Sequence, residues 1–279
     1  MIPCIAKKSA GWFGALFFVL LFSSARSAAD DWQPAEVAAE FGFSMTRFHY
    51  AEFNDTSRVL DTEQGVIPGL SFRLAQRPLA WGRSWEWEGL AGYHYGRVDY
   101  TGQTQSGVPY NTRTGEEISD YALRMGPWFE GSYPVMPYAG LGYRRWDRDI
   151  LPASLGGLFE FYRWKYVWLG TKITAYQQCA SNLTLDIGWI KPVDPVLHVD
   201  FRGAYNVSPR LNPGSRDGLR LMLTSRSAFP ENTTLILEPY FEYWKLGRSP
   251  SLTTGGITVH EPASRTSNFG FNLRIGKMY

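Results

Sequence analysis

Cysteine is almost missing from this chain: there are two, Cys4 and Cys179, and loss of the first with a leader would leave one, which cannot form an internal disulfide. Histidine is nearly as scarce, with His49, His94, His198 and His260 making up the set of four. The sequence holds no zinc-protease helix, nucleophile elbow, phosphate loop or cysteine cluster. No stretch after the first thirty residues could cross a bilayer as a helix, and clear helical periodicity is missing from the same region. Neither charge dominates, since the formal net charge is +2. With no basic stripe beside the aromatics, the sequence argues against a nucleic-acid partner. No linker divides the chain, so residues 30–279 read as one domain.

The leader is residues 1–29. Lys7 and Lys8 precede an apolar run from Gly11 to Phe22, then small residues from Ser23 to Ala29 and the acidic Asp30 and Asp31. That order is the mark of a secretory signal peptide, cut near Asp30, with a cut set by Ala25 and Ser27 as the second option. The run is shorter than the ~18 residues a spanning helix needs.

What the chain has instead is aromatics, at 16%, with 11 Trp and 16 Tyr, and 28 glycines. That mixture favours sheets. Its pattern has a period of two. In the closing stretch Phe269, Phe271, Leu273 and Ile275 alternate with Gly270, Asn272, Arg274 and Gly276. Similar alternation recurs near Phe41, Leu70, Leu123, Leu141, Leu185, Leu221 and Leu237. Two further segments, 83–98 and 160–173, have strand composition without a readable face. The count is about ten strands, with eight to twelve as the range. Connections between them alternate long and short. The expectation is an all-β fold: a closed, antiparallel, up-and-down transmembrane β-barrel.

The polar face decides which side is inside. It collects glycine, and it pairs Arg73, Arg124, Arg144, Arg220 and Arg274 with Glu40, Glu130, Asp186, Glu238 and Glu242. Arginine suits confined carboxylate pairs, and glycine makes room in a crowded interior. The polar face is therefore read as the lumen, its charges as an ion-pair network, and the apolar face as lipid-facing. A bilayer tolerates no open edge, so the last strand must pair with the first, around 40–48. Trp81, Trp85, Trp146, Trp164, Trp189 and Trp244 fall near strand ends and are expected at the two membrane interfaces.

Signal peptide, alternating strands, alternating connections and an aromatic last residue together resemble the Gram-negative outer-membrane β-barrel proteins. The resemblance covers essentially the whole chain after the leader. It implies an outer-membrane location and lipid and lipopolysaccharide as neighbours. It also implies insertion by the barrel-assembly machinery, with Phe269, Phe271, Leu273, Ile275 and Tyr279 as the assembly signal. Lys277 departs from the usual apolar residue at its position.

Ten strands leave a narrow bore, which argues against free diffusion and against a water-filled pore. Function is then expected in long extracellular loops, as surface binding or envelope structure, with no cofactor and no metal. The richest loop is 190–217, where Arg202, Arg210 and Arg216 could meet an anionic lipopolysaccharide or another extracellular ligand. The alternatives are a small-solute pore and an omptin-like protease. For the protease, Asp147 and Asp149 in one loop would face His198 and Asp200 in another to activate a water. The order of His198 and Asp200 is reversed relative to that resemblance.

Overall fold

A computed structural model describes residues 37–103, 107–150, 157–178, 180–203 and 205–279. The expected leader and its cleavage site lie outside the described residues, as does Cys179. Ten long strands run in chain order around a closed antiparallel wall: β1 (Val37–Phe53), β2 (Val59–Gln76), β3 (Arg83–Gln103), β4 (Pro109–Pro127), β5 (Val135–Ile150), β6 (Phe159–Gln178), β7 (Ser181–Asp200), β8 (Gly218–Phe229), β9 (Thr233–Gly247) and β10 (Ala263–Met278). The barrel class and strand number expected from the alternation are those observed.

Closure is made by β10, which pairs with β9 on one side and β1 on the other. Phe41 lies opposite Ile275 and Met45 opposite Phe271, so the apolar side chains of first and last strand share the outer face. The backbones of Val37 and Tyr279 exchange hydrogen bonds of 3.2 and 3.0 Å. Both ends of the described chain therefore lie at one end of the barrel, here the base; the opposite end is the rim.

Base connections are short, at 77–82, 128–134, 179–180 and 230–232, as expected. Rim connections are not uniformly long: 54–58 and 104–108 are five residues each because β1 to β4 run far beyond the apolar part of the wall. The 190–217 loop is likewise corrected. Ile190 to Asp200 belong to β7, and Arg210–Leu211 pair back onto β7 while Gly214–Ser215 pair onto β9. Arg210 faces His198 in the same register by which β8 faces β7. The segment is an interrupted upward continuation of β8. Pro213 sits in the interruption and cannot donate to a ladder. Among the described residues, 201–203 and 205–208 lie outside this pairing.

The wall's outside is greasy: Phe41, Leu123, Leu141, Phe269 and Ile275 are each more than half exposed. Its inside is filled mainly by charges and rings, with buried aliphatic side chains such as Ile67, Met136 and Ile236 among them. Glycines make the space. Tyr166 lies where a side chain on Gly142 would stand, and Trp168 covers Gly188.

Candidate functional site

Near the base the lumen is spanned by the expected ion-pair network. Arg73 on β2 donates to Glu40 on β1 (2.5 Å) and to Glu86 (3.3 Å) and Glu88 on β3. Arg124 on β4 reaches Asp186 on β7 (2.5 Å) and Glu88. Arg274 on β10 holds Glu238 (2.9 Å) and Glu40 (3.0 Å). Lys172 on β6 closes on Glu86 (2.7 Å) and Glu88 (2.6 Å). All these side chains are buried, so removing one partner strands a charge at a cost of about 3–5 kcal/mol. Sequence reasoning missed Glu86, Glu88 and Lys172, which lie in the two segments whose faces had no readable alternation. Glu130 is corrected: it is exposed in the 128–134 turn and makes no lumen pair.

Above the network, Arg144 on β5 bridges Asp120 (2.7 Å) and Glu242 (2.8 Å). Arg220 on β8 is held more loosely, 3.5 Å from Glu242. A polar chamber of about 210 Å³ runs alongside both levels, lined by residues of each. Its walls reach the base, where Glu130, Pro134, Gln177, Lys277 and Met278 form the mouth, and they end at Arg144 and Asn268.

Two stacked layers of rings stop the chamber there, Trp164 and Trp244 below and Trp146 above. Phe48, Trp146, Trp164 and Trp244 are buried inside the barrel. Trp164 and Trp244 meet edge to face at 5.8 Å, Phe48 and Trp146 at 5.9 Å, and Arg144 lies 4.3 Å from the Trp244 ring. The expected interfacial positions of Trp146, Trp164 and Trp244 are thus corrected. Each stands at an inward position of its strand, and strand parity outweighs nearness to a strand end. Trp81 and Trp189 do face outward.

Over the rings sits a second charged shell. Arg148, fully buried, donates to Glu52 (2.9 Å), Glu63 (2.8 Å) and Glu160 (2.6 Å) from three different strands. Glu261, from the 248–262 connection, accepts from Tyr162 Oη at 2.6 Å. Burial, with Glu52 and Glu160 nearby, pushes the Glu261 carboxyl well above its usual range. A carboxyl raised in the folded state binds its proton more tightly there than when unfolded. Its stabilising contribution is therefore complete below the ordinary value of 4.5 and lost as pH rises through the folded value. We expect proteolysis within 248–262 to accelerate as pH rises above the ordinary carboxyl range, and Glu261→Gln to flatten that dependence.

The residues of the protease alternative lie elsewhere. Asp147 and Asp149 are in β5 and His198 and Asp200 in β7, not in loops. Asp147, Phe161 and His198 occupy one row across β5, β6 and β7. His198 and Asp200 are exposed on the outer wall, while Asp147 is enclosed there by Arg145 and Arg163. The two pairs share one side of the barrel and do not confront each other across its mouth. Of the three loop arginines, Arg202 is tied to Asp149, whereas Arg210 and Arg216 are exposed.

A feature without a counterpart in the sequence reading runs around the outer wall. Moving toward the rim, Phe41 and Phe43 give way to Arg47 on β1, Tyr95 to Arg97 on β3, and Tyr143 to Arg145 on β5. In the same way Leu169 gives way to Lys165 on β6, Tyr243 to Lys245 on β9, and Phe269 to Arg265 on β10. Lys245 and Arg265 are direct partners in the ladder. The apolar belt is thus bordered on its rim side by an incomplete cationic ring, with cations on six of the ten strands and Glu117 and Asp147 on the same outer face. On its base side stand exposed rings, Trp81, Phe129, Tyr133 and Tyr279.

No protein-family model matches the sequence, and no curated protein matches it either. Solved structures do. The outer membrane protease OmpT from Escherichia coli is similar over 88% of this chain and 97% of its own, with a TM-score of 0.58 and 10% identity. The outer membrane protein OprG from Pseudomonas aeruginosa aligns over 88% and 97%, with a TM-score of 0.41 and 10% identity. The chain has the fold of an outer-membrane β-barrel.

Proposed function

We propose that this protein is an integral outer-membrane barrel, delivered by a cleaved signal peptide and the barrel-assembly machinery, that works by binding at the cell surface. The termini point to the periplasm and the rim points outward. The observation that carries this reading is the cationic ring directly above the apolar belt. Guanidinium and ammonium groups at that height meet the phosphates of the outer leaflet, and lipopolysaccharide is the anionic lipid whose headgroups they fit. Arg210 and Arg216 extend the basic surface toward the rim. Charge-assisted hydrogen bonds contribute about 1.5–3 kcal/mol each, so few contacts suffice.

The test pairs Lys245→Glu with Arg265→Glu, and separately Arg210→Glu with Arg216→Glu. Binding of purified lipopolysaccharide to the detergent-solubilised barrel should weaken at least tenfold in the first pair. The second pair should weaken surface binding with a smaller effect on lipopolysaccharide. Unchanged lipopolysaccharide affinity in the first pair, with cold gel mobility intact, would overturn the assignment. A small-solute pore is the second reading, favoured by the chamber's opening at the base and opposed by the rings above it.

A further inference from the structure

One contact in the chamber wall has no part in the charge networks. Ser44 Oγ on β1 and His94 Nε2 on β3 are 2.8 Å apart, although β2 runs between their strands. Gly69 makes this contact available. It is the ladder partner of both Ser44 and His94, and a Cβ there would meet the His94 ring and the Tyr93 carbonyl. Any side chain at 69 would wedge between hydroxyl and imidazole. A glycine between two residues that touch only because of it is the local device that assembles the pair.

The surroundings are those of a recess open to small molecules. Ser44 and His94 both line the chamber of about 210 Å³ whose mouth is at the base. The charged groups that bear on His94 are Arg144, Glu242, Asp120 and Arg220. Arg144 is committed to two carboxylates, but Arg220 has a single carboxylate contact, at 3.5 Å, and its side chain keeps 17% of its exposure. The Arg220 guanidinium lies between the rings of Trp168 and Tyr240, at 5.2 and 5.6 Å. It is a cation with room left for an anionic group of a guest, and it lies among the charged groups that bear on His94.

We propose that Ser44 and His94 form a nucleophile and base pair that cleaves small carboxylic esters bearing an anionic group, admitted from the periplasmic end. Ser44 Oγ attacks the ester carbonyl carbon while His94 Nε2 takes the hydroxyl proton. The carbonyl–alkoxide bond breaks, the proton passes from His94 to the departing alcohol, and an acyl group remains on Ser44. A chamber water then attacks the acyl carbon, His94 takes its proton and returns it to Ser44, and the carboxylic acid leaves. No oxidant or metal is needed, and water is the co-reactant. Arg220 orients the guest through its anionic group.

The test does not require the natural ester. Diisopropyl fluorophosphate is added to the full-length, folded barrel and the intact mass is followed. Ser44 Oγ displaces fluoride at phosphorus, with the proton passing through His94. We expect one diisopropylphosphoryl adduct, mapped to Ser44 by peptide mass. It should be lost in Ser44→Ala and slowed at least tenfold in His94→Gln, whose amide keeps a hydrogen bond to the hydroxyl without acting as a base. Both variants should retain the boiled-versus-unboiled mobility shift. Should His94→Gln not fold, the wild-type pH profile decides: a base-assisted reaction rises sigmoidally with loss of one proton between about pH 4 and 8. Absence of an adduct, an adduct at another residue, an unchanged rate in folded His94→Gln, or a flat pH profile would each overturn the proposal.

Discussion

Arg148→Met should unfold the rim half of the barrel. The native guanidinium is the cation shared by Glu52, Glu63 and Glu160, and it lies 4.3 Å from the Tyr50 ring. Methionine approximates the volume of the stem but leaves three carboxylates facing one another without a counter-charge. Removing one partner from a buried ionic cluster costs about 3–5 kcal/mol. We therefore expect a thermal midpoint in detergent lowered by many degrees, with proteolysis at the rim preceding loss of the base. The double variant Arg148→Met, Glu63→Gln should recover part of the loss, because the two sites are coupled. Equal damage in single and double variants would mean that packing of the Arg148 stem, not charge, holds the shell together.

The contrast between what was legible and what was not follows strand parity. Phe269, Phe271, Leu273 and Ile275 alternate without interruption against a polar face, so their outward direction, closure against β1 and the position of Arg274 in the lumen all followed from period two. The segment Tyr162 to Trp168 resisted because both of its faces carry bulk. Its rings point inward, onto the hollows left by Gly142 and Gly188, while Arg163, Lys165 and Val167 point out. No count of hydrophobicity reveals that the larger side chains face a polar lumen. The information sits in glycines on neighbouring strands.

Strand length was hidden for a different reason. Beyond the cationic ring the outer face meets water, so outside and inside are both polar and the alternation fades. The stretch from Asp99 to Gln103 continues β3, and that from Pro109 to Glu117 begins β4, yet each reads as loop. The same fading made Asp147 and His198 look like loop residues. They occupy a hydrogen-bonded wall.

The last expected result concerns the rings. In a planar bilayer the wild-type barrel should pass no steady current, and the triple variant Trp146→Ala, Trp164→Ala, Trp244→Ala should produce discrete current steps. The chamber already supplies a polar path from the base as far as Arg144, so the barrier to ions lies in what is stacked above it. Trp164 and Trp244 form the first layer. Trp146 carries the second, since Tyr162 stacks on it at 4.7 Å and Tyr50 meets it edge to face at 5.1 Å. Single replacement leaves one layer in place, at a packing cost of about 3–5 kcal/mol. Triple replacement removes the first layer and the support of the second, and water enters beside Arg148. Steady conductance in the wild type would show that the rings do not seal the lumen. Silence from a triple variant that still shifts on boiling would move the barrier to the Arg148 shell, whose buried guanidinium and carboxylates would then be the gate as well as the brace.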